Sequence, residues 1–497
     1  MQKKFLKNLG LLLFLNLLVK PLWILGIDRQ VQNVVGPEEY GLYFFLFNFS
    51  FLFYIFLDLG ITNFNNRNIA QNNQLLNKHL SGISMLKLAL GLLYAVIIIV
   101  GGILWGYKGR ELYILSWLAF NQFILSFILY LRSNLSGLLL FKTDSFLSIL
   151  DRVLMILIVG FLLWFNLFEG QFTIEWFVYS QTVAYIITFA VAAIAVLNKS
   201  GKLKFNWNIP FFILIAKRSA PFALLVLIMS FYNRIDPVLI ERILPDSIGK
   251  EQVGIYAQAF RLLDAGQNFA FLFAVLLLPI FAKMISVKQS VENLIKLSGS
   301  IIISGALVIA IVAQFYANDI MQLMYNIVPG ETQQHYLIRI AQSATVLKIL
   351  MFSFVGISSN YIFGTLLTAN HNLKQLNIIA SGGLLINLSL NLILIPHYHS
   401  VGSAYASLAT QSVTAILQLV LVYKIFHFKL NYKLIFNMCL MVISLFAIGY
   451  ALKNYSALEW KLSLVIMVIL GLALSIILKL INIKEFIKII NDDGEMN

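Results

Sequence analysis

The sequence has almost no cysteine and little charge. Cys439 is the single cysteine among 497 residues, which excludes a disulfide framework and a cysteine metal site. Asp, Glu, Lys and Arg make up 12% of the residues, whereas hydrophobic residues make up 60%. So little charge leaves little material for the surface of a soluble domain.

Signature motifs of common enzymes are missing as well. The sequence contains no H-E-x-x-H, no Walker P-loop and no G-x-S-x-G, so zinc, nucleotide and serine-nucleophile sites of those kinds are not expected. The pair His397-Tyr398-His399 has no carboxylate or third ligand near it in the sequence. We therefore predict neither a metal site nor a cofactor. No loop is long enough to hold a nucleotide-binding domain.

Apolar stretches, by contrast, follow one another along almost the whole chain. A helix needs roughly 20 apolar residues to cross the hydrocarbon core of a bilayer, and backbone polar groups in lipid must be satisfied within helices. The sequence predicts an all-α, polytopic membrane protein with about 14 transmembrane helices. The predicted spans lie near residues 8–35, 38–63, 80–105, 112–139, 144–166, 172–197, 211–242, 253–283, 293–316, 336–369, 374–395, 402–426, 433–452 and 460–481.

Basic residues indicate how these helices are oriented. The chain has 36 Lys and Arg against 22 Asp and Glu, a net charge of +14. Most of the basic residues lie at the two termini and in every second break, including the linker at 198–210. Positive residues accumulate on the cytoplasmic side, so both termini are predicted to be cytoplasmic, and Lys108 and Glu331 outside. Membrane insertion explains the charge, and nucleic-acid binding is not expected.

An eight-residue motif occurs twice. Gly36–Tyr43 leads into the second predicted helix and Gly249–Tyr256 into the eighth, and both read G-x-E-x-x-G-[LI]-Y. Their shared position in a six-helix unit predicts two parallel six-helix repeats. These would form lobes at residues 1–205 and 206–430 around a central cavity, with helices 13 and 14 and a cytoplasmic tail in 431–497. Transporters place the substrate path between such repeats and rock one against the other.

The first motif and the residues after it resemble a known family. Val35–Tyr43, followed by Leu57–Thr62, Asn66-Arg67 and Ile69-Ala70, is similar to the start of the bacterial polysaccharide-biosynthesis flippases. These are O-antigen and capsule repeat-unit transporters of the multidrug/oligosaccharidyl-lipid/polysaccharide exporter superfamily. The helix count and the 6+6+2 layout extend the resemblance over the whole chain.

This resemblance implies a flippase of the bacterial inner membrane, not an enzyme. The family moves undecaprenyl-diphosphate-linked oligosaccharides from the cytoplasmic to the periplasmic leaflet, for O-antigen of lipopolysaccharide or other surface polysaccharides. The implied partners are the polyprenyl-diphosphate-linked glycan, the lipid bilayer, and a polysaccharide polymerase and glycosyltransferases. The family has no active-site signature, so the resemblance alone assigns no site residues.

Charged residues inside the apolar segments supply the site hypothesis. A charge at the bilayer centre costs roughly 2.5–3.5 kcal/mol, so it usually faces a wet cavity and marks function. Bases outnumber acids there, and Arg and Lys give charge-assisted hydrogen bonds to phosphate oxygens. The predicted diphosphate-binding residues are Arg261, Lys20, Lys348, Arg234, Arg132 and Lys87, and those for ion coupling or charge pairing are Asp264, Asp236 and Asp58.

Arg261 has two interpretations. It shares a polar helix face with Gln258, Asp264 and Asn268, and such a face would line a cavity. Lipid II flippases are similar here, with an Arg, a Leu-rich run and a Pro, as in Arg261 to Pro279. Alternatively, Arg261 and Asp264 neutralise each other as a structural pair, because residues three apart meet on a helix.

The other charges also leave alternatives open. Arg234 and Asp236 precede Pro237, which permits a kink, and they would form either a local ion pair or part of the cavity. Lys20 stands beside a second helix-bending proline, and a cavity position is favoured for it. Lys87 and Arg132 lie close enough to the cytoplasmic side for their side chains to snorkel towards it. Asp58 lies near a helix end, where it would cap the helix or form a structural ion pair.

Two further functions compete with the flippase. A cation-coupled drug or metabolite antiporter of the same fold would more typically place acids in its cavity. A membrane polysaccharide polymerase or ligase would need a sizeable outer loop with catalytic residues. The longest outer break, about residues 316–336, carries few titratable groups, which argues against catalysis.

Overall fold

The computed structural model describes residues 14–481, apart from 63–64, 67–68, 70–71, 166–171, 201–206 and 429–430. Every regular element within these residues is a helix, which confirms the all-α prediction. Several predicted features lie outside the described residues: the basic N-terminus, Arg67 and Ala70 of the family-like segment, much of the 198–210 linker and the C-terminal tail.

The helices follow one another with short connections. α1 (residues 14–22) passes through one π-helical turn, Trp23–Asp28, directly into α2. The later helices are α2 (Arg29–Leu52), α3 (Ile55–Asp58), α4 (Leu75–Trp105), α5 (Arg110–Gly137), α6 (Phe141–Trp164), α7 (Ile174–Leu197), α8 (Ile209–Arg234), α9 (Asp236–Ile243), α10 (Asp246–Ser286), α11 (Glu292–Met324), α12 (Gln333–Ala369), α13 (Leu373–Phe426), α14 (Tyr432–Tyr455) and α15 (Trp460–Ile477).

The predicted count of fourteen membrane spans is not confirmed. Among the described residues, ten helices are long and apolar enough to cross a membrane, or eleven when α8 and α9, bent by 49°, count as one span. Part of the difference lies in α13, whose 54 residues would extend about 80 Å against a core of about 30 Å. Its backbone breaks at His399 (φ 51°, ψ −131°), between the predicted spans 374–395 and 402–426.

A second break, at Gly36, separates the first two predicted spans. Gly36 has φ 82° and ψ 169°, a conformation that glycine adopts without steric cost, and Pro37 then begins the next helical segment. The segments on either side are joined by buried Asp28, whose carboxylate accepts hydrogen bonds of 2.9 Å from Tyr40 Oη. Gln32 Nε2 donates to the same carboxylate at 3.1 Å.

The helices group into two compact units, Met1–Gly254 and Ile255–Asn497. The lobe boundaries at residues 205 and 430, which follow from the internal repeat, stay a prediction.

In the first unit, the two copies of the repeated motif contact each other reciprocally. A Cβ atom at Gly41, in the first copy, would collide with the carbonyl oxygen of Lys250 in the second. A Cβ at Gly254, in the second copy, would collide with the carbonyl oxygen of Pro37 in the first. Each glycine is sixth in its motif, and each carbonyl belongs to the second residue. The contact therefore has the pattern of a local two-fold axis.

Ion pairs surround this crossing. Arg110, at the start of α5, donates from its two Nη atoms to Glu39 at 2.8 and 2.6 Å, and from Nε to Glu175 at 2.6 Å. The next residue, Glu111, pairs with Lys250 at 3.0 Å. Neighbouring residues of α5 thus hold both motif copies.

In the second unit, small residues let helices approach closely. Gly356 of α12 lies against the backbone of Gln411 in α13. One turn on, Asn360 Nδ2 donates to Gln411 Oε1 and Thr414 Oγ1, each at 3.0 Å. In α14, Gly449 makes room for the Phe315 ring of α11, so that α14 and α15 pack on α11.

We expect Gly41→Ala and Gly254→Ala each to destabilise the protein, because each new methyl group meets a backbone carbonyl that the helix holds in place. Overpacking of this kind costs about 1–3 kcal/mol. Thermal unfolding of the purified protein in detergent measures the effect. The matched control is Gly26→Ala, where a Cβ has nothing within 4 Å. A melting temperature for Gly41→Ala equal to that of Gly26→Ala would contradict the packing argument.

Candidate functional site

A cluster of charged side chains lies inside the first unit, where α1, α5 and α6 come together. Arg132 Nε donates to Asp144 Oδ1 at 2.7 Å, and Arg152 Nε lies 3.6 Å from Asp151 Oδ2. The Lys20 ammonium lies within electrostatic range of Arg152, Asp151 and Arg132. We call Lys20, Arg132, Asp144, Asp151 and Arg152 the cationic cluster, because it contains three basic and two acidic residues.

The side chains of this cluster are positioned but still accessible. The guanidinium of Arg152 lies over the Trp23 ring, 5.6 Å from its centroid, and Trp23 stacks on Phe177. The exposed fractions of the Arg132 and Arg152 side chains are 21% and 28%. A neighbouring polar contact joins Asn16 Nδ2 of α1 to Ser148 Oγ of α6 at 3.0 Å. Both arginines are thus oriented by neighbours and able to meet a ligand.

Local sequence explains why α1 brings Lys20 to this place. Pro21 has no N–H to continue the α-helical ladder, and the helix widens into the π-helical turn Trp23–Asp28 immediately after it. Such turns often occur at functional sites.

Lys87 has a different environment. Its side chain is 1% exposed and its Nζ lies 2.9 Å from Asp58 Oδ1. The same nitrogen donates to the Leu57 carbonyl at 3.1 Å and lies 5.8 Å from the centroid of the Tyr130 ring. Asp58 also accepts a hydrogen bond from the Thr62 hydroxyl. Lys87 is therefore engaged in a buried ion pair that fixes α3 against α4.

Arg234 and Asp236 flank the bend between α8 and α9. Arg234 stands in the last turn of α8 and Asp236 in the first turn of α9, and each charge complements the dipole of the helix end that carries it. The Arg234 guanidinium lies 5.4 Å from the Phe51 ring centroid, and Asp236 is buried. The bend lies at the predicted proline kink.

The second unit holds the remaining predicted residues. Arg261 Nη1 lies 3.4 Å from Asp264 Oδ2, and the two side chains are 13% and 12% exposed. The pairing proposed as one interpretation of Arg261 is thus present. Lys348 is half-buried on α12, and its backbone carbonyl accepts a hydrogen bond from Gln314 at 3.0 Å.

Of the six predicted bases, Lys20 and Arg132 belong to the cationic cluster. Asp144, Asp151 and Arg152 were not predicted, although Asp151 and Arg152 lie inside the predicted span 144–166. The sequence does carry a signal for Asp151 and Arg152, because they are charged residues within an apolar run. Lys20 was predicted on the same ground. A diphosphate-binding role for any of these residues stays a prediction.

A further buried ion pair joins Glu331, in the connection between α11 and α12, to Arg339 of α12. Arg339 is 1% exposed and donates to Glu331 from Nε at 2.7 Å and from Nη2 at 2.9 Å. Its Nη2 also donates to the Asn326 carbonyl at 2.9 Å. Burial raises the pKa of Glu331, but the hydrogen bonds from Arg339 and from the Val328 N–H, together with the positive charge of Arg339, outweigh burial and hold this pKa below its ordinary value.

The chain matches the model of a known family and the fold of known transporters. The family described as polysaccharide biosynthesis protein matches residues 5–285, more than half of the sequence, so the chain belongs to this family. No curated protein matches the sequence significantly.

Solved structures of membrane transporters share this fold. The lipid II flippase MurJ in an inward closed conformation matches with a TM-score of 0.69 at 15% identity, covering 94% of this chain and 98% of that one. A multidrug resistance MATE family transporter of the MOP superfamily, inward-facing, matches with a TM-score of 0.61 at 17% identity, covering 82% and 94%. A MOP superfamily transporter from Pyrococcus furiosus gives 0.57 at 15%, covering 86% and 94%. The chain therefore shares the fold of these transporters.

We expect Lys87→Met to lower the amount of inserted protein, because it leaves Asp58 without its cation, and breaking a buried pair costs about 3–5 kcal/mol. The double variant Lys87→Met with Asp58→Asn should restore accumulation, since no charge remains. Membrane immunoblots measure the protein level, and complementation measures transport. A double variant that accumulates fully but does not transport would assign Lys87 a direct role in the substrate path.

Acid should weaken the contribution of Glu331. Because its folded pKa lies below the ordinary 4.5, the ion pair stabilises the fold above that pH, and the contribution is lost as the pH falls through the folded pKa. Glu331→Gln should therefore unfold more easily than the wild type at pH 7, by about 3–5 kcal/mol, and the difference should shrink towards about pH 3.

The control for this measurement is Glu459→Gln, which removes a pair with Lys461 whose side chains are 67% and 57% exposed. Exposed pairs contribute about 0–1 kcal/mol, so this variant should unfold like the wild type. Thermal unfolding at both pH values gives the comparison. A Glu331→Gln difference that is independent of pH would reject the ionised pair.

Proposed function

We propose that this protein is a flippase for polyprenyl-diphosphate-linked oligosaccharide repeat units. It would move them from the cytoplasmic to the periplasmic leaflet of a bacterial inner membrane, for O-antigen or another surface polysaccharide. Membership of the polysaccharide biosynthesis family and the transporter fold support a lipid-linked flippase or a related MOP transporter. The choice between a lipid-linked flippase and another kind of transporter depends on the charged residues of the candidate site.

The observation that carries the proposal is the cationic cluster. Lys20, Arg132 and Arg152 belong to one group of interacting charges in the first unit, and each side chain is partly exposed. A diphosphate is the ligand this arrangement suits, because guanidinium groups bind phosphate oxygens through charge-assisted, often bidentate, hydrogen bonds. An organic cation would meet a net repulsive field there.

The carboxylates of the cluster orient its arginines and offset part of their charge. Asp144 holds the Arg132 guanidinium in one orientation, and Asp151 lies beside Arg152. Like charges at close range repel in a medium of low dielectric constant, so the acids reduce the repulsion among the three bases. A bound diphosphate would take over part of this charge compensation. It would accept hydrogen bonds from arginine side chains that are already held in one orientation.

Alternating access between the repeats at 1–205 and 206–430 would then carry the head group across. The reciprocal contact of Gly41 and Gly254 joins the two motif copies at the end of the bundle that the basic residues predict to be periplasmic. Release to that side would require this contact to open. Energy would come from an ion gradient, the membrane potential or consumption of the product.

The competing functions have less support. A cation-coupled antiporter needs a carboxylate that exchanges its ion, whereas Asp58 is held by Lys87 and Asp264 lies beside Arg261. A polymerase or ligase needs a catalytic outer loop, whereas the α11–α12 connection holds Glu331 in a structural pair with Arg339. The family and the structural neighbours are transporters.

Deletion of the gene should strand complete lipid-linked repeat units in the cytoplasmic leaflet without shortening them. Leaflet-specific glycan labelling in spheroplasts and analysis of the extracted lipids measure this. Wild-type protein should restore transport, whereas Arg152→Ala and Lys20→Ala should insert and accumulate but not restore it. Arg152→Lys should retain partial activity, since the charge survives and the bidentate fork is lost.

The control is Lys461→Ala, an exposed lysine far from the cluster in sequence, which should restore transport fully. Truncated repeat units in the deletion strain would favour an enzyme and overturn the proposal. The same assay separates the interpretations of Arg261: the double variant Arg261→Leu with Asp264→Leu keeps transport if the pair is structural and loses it if Arg261 binds phosphate.

A further inference from the structure

An apolar groove of about 540 Å³ opens on the surface of the first unit, between α4, α5 and α7. This volume falls within the roughly 300–1,000 Å³ of sites that bind small molecules. Its lining is hydrophobic except for Ser84. The groove is distinct from the cationic cluster, which lies where α1, α5 and α6 meet.

Three phenylalanine rings form its floor. Phe123 and Phe127 of α5 lie edge-to-face with centroids 5.2 Å apart, and Phe189 of α7 lies edge-to-face on Phe127 at 5.9 Å. Gly91 of α4 makes this possible, because a Cβ at that position would collide with the Phe123 ring. Since the rings pack on the core of the unit, the groove is a formed feature that does not depend on a ligand to shape it.

The groove has the length of one leaflet. On α5 it extends from Phe120 to Leu131 and on α7 from Ile186 to Leu197, twelve residues in each case, or about 16 Å for eleven steps of 1.5 Å. Half of the hydrocarbon core is about 15 Å. The ends at Leu131 and Leu197 lie at the sides of α5 and α7 that the basic residues predict to be cytoplasmic.

Positive charge stands at that end of the groove. After α7 the chain turns back, with Lys199 N–H donating to the carbonyl of Val196, a groove residue, at 2.9 Å. The Lys199 side chain is exposed. On α5, the residue after Leu131 is Arg132 of the cationic cluster. A ligand that complements this surface has a long apolar chain and an anionic head.

We propose that the groove binds the isoprenoid chain of a polyprenyl phosphate or diphosphate lipid in the cytoplasmic leaflet, with the phosphate beside Lys199. The proposal rests on the proposed function and adds a second site to it. The chain would be held at the protein surface in lipid while the head group is close to the cluster that receives it. Ring faces on the floor and an opening towards the bilayer allow a long chain to enter sideways.

The test uses the full-length protein in nanodiscs and a polyprenyl diphosphate that carries a diazirine on its chain. After illumination, mass spectrometry maps the labelled peptides. Label should concentrate on the peptides of α5 and α7 that contain Phe123 and Phe189. Ala193→Trp, which fills the groove from α7, and Ser84→Trp, which fills it from α4, should each reduce this label about tenfold, equivalent to ~1.4 kcal/mol. Lys199→Gln should weaken it as well.

The matched control is Ile194→Trp, because Ile194 is 60% exposed, adjacent to Ala193 and outside the groove lining. The Ile194→Trp variant should be labelled to the same extent as the wild type. The melting temperatures of all the tryptophan variants should equal that of the wild type. Unlabelled polyprenyl phosphate should compete, whereas a phosphatidylglycerol at the same concentration should not. Equal competition by phosphatidylglycerol would show a general lipid surface and overturn the proposal.

The outcomes also separate this proposal from the flippase proposal. Labelling that maps elsewhere on the chain and is unchanged by Ala193→Trp would reject the groove and leave the flippase intact. Labelling of no peptide at all would count against both. Arg152→Ala should keep the groove label while losing transport, because it changes the receiving cluster and not the chain site.

Discussion

The crossing of α2 and α10 at Gly41 and Gly254 is the constraint on which the first unit depends. Without side chains there, each helix places its backbone against a carbonyl oxygen of the other, an approach that only glycine permits. Because the two contacts are equivalent by position in the repeated motif, the motif specifies both surfaces of one joint. The charged residues around it, Arg110 with Glu39 and Glu111 with Lys250, reinforce the same pairing.

The cost of charge in a bilayer then sorts the intramembrane residues into two groups. Lys87 is buried and pairs with Asp58, whose side chain is 16% exposed, and such pairing lets a charge remain in a membrane core without a water-filled cavity. Arg132 and Arg152 have carboxylate neighbours too, yet each keeps about a quarter of its surface exposed. That remaining exposure, more than the presence of charge, distinguishes a candidate binding group from a structural one.

Much of this architecture could be predicted from the sequence, because a membrane leaves the chain few choices. The length of the apolar stretches predicted membrane-spanning helices. The observed helix breaks at Gly36 and His399 lie between predicted spans. Charge pairing could not be predicted in the same way. Lys87 and Asp58 are 29 residues apart, and Arg132 meets Asp144 across a helix connection, so neither pair shows a local spacing. Asp151 and Arg152 are neighbours in a predicted span and form an ion pair at 3.6 Å, but only the packing of α6 against α1 brings them within electrostatic range of Lys20.

A substrate with a charged head and a long apolar chain sets two demands that one cavity cannot meet. The head needs fixed donors in a place shielded from lipid, and the chain needs to remain in the hydrocarbon throughout. The first unit offers separate surfaces for each, and they share α5: Arg132 belongs to the cationic cluster, and Leu131, the residue before it, ends the apolar groove. Successive residues on a helix point about 100° apart, so one helix can present a phosphate-binding side chain to the interior and an apolar wall to the lipid. In the proposed flippase, this division would allow the head group to change sides while the chain follows along the protein surface.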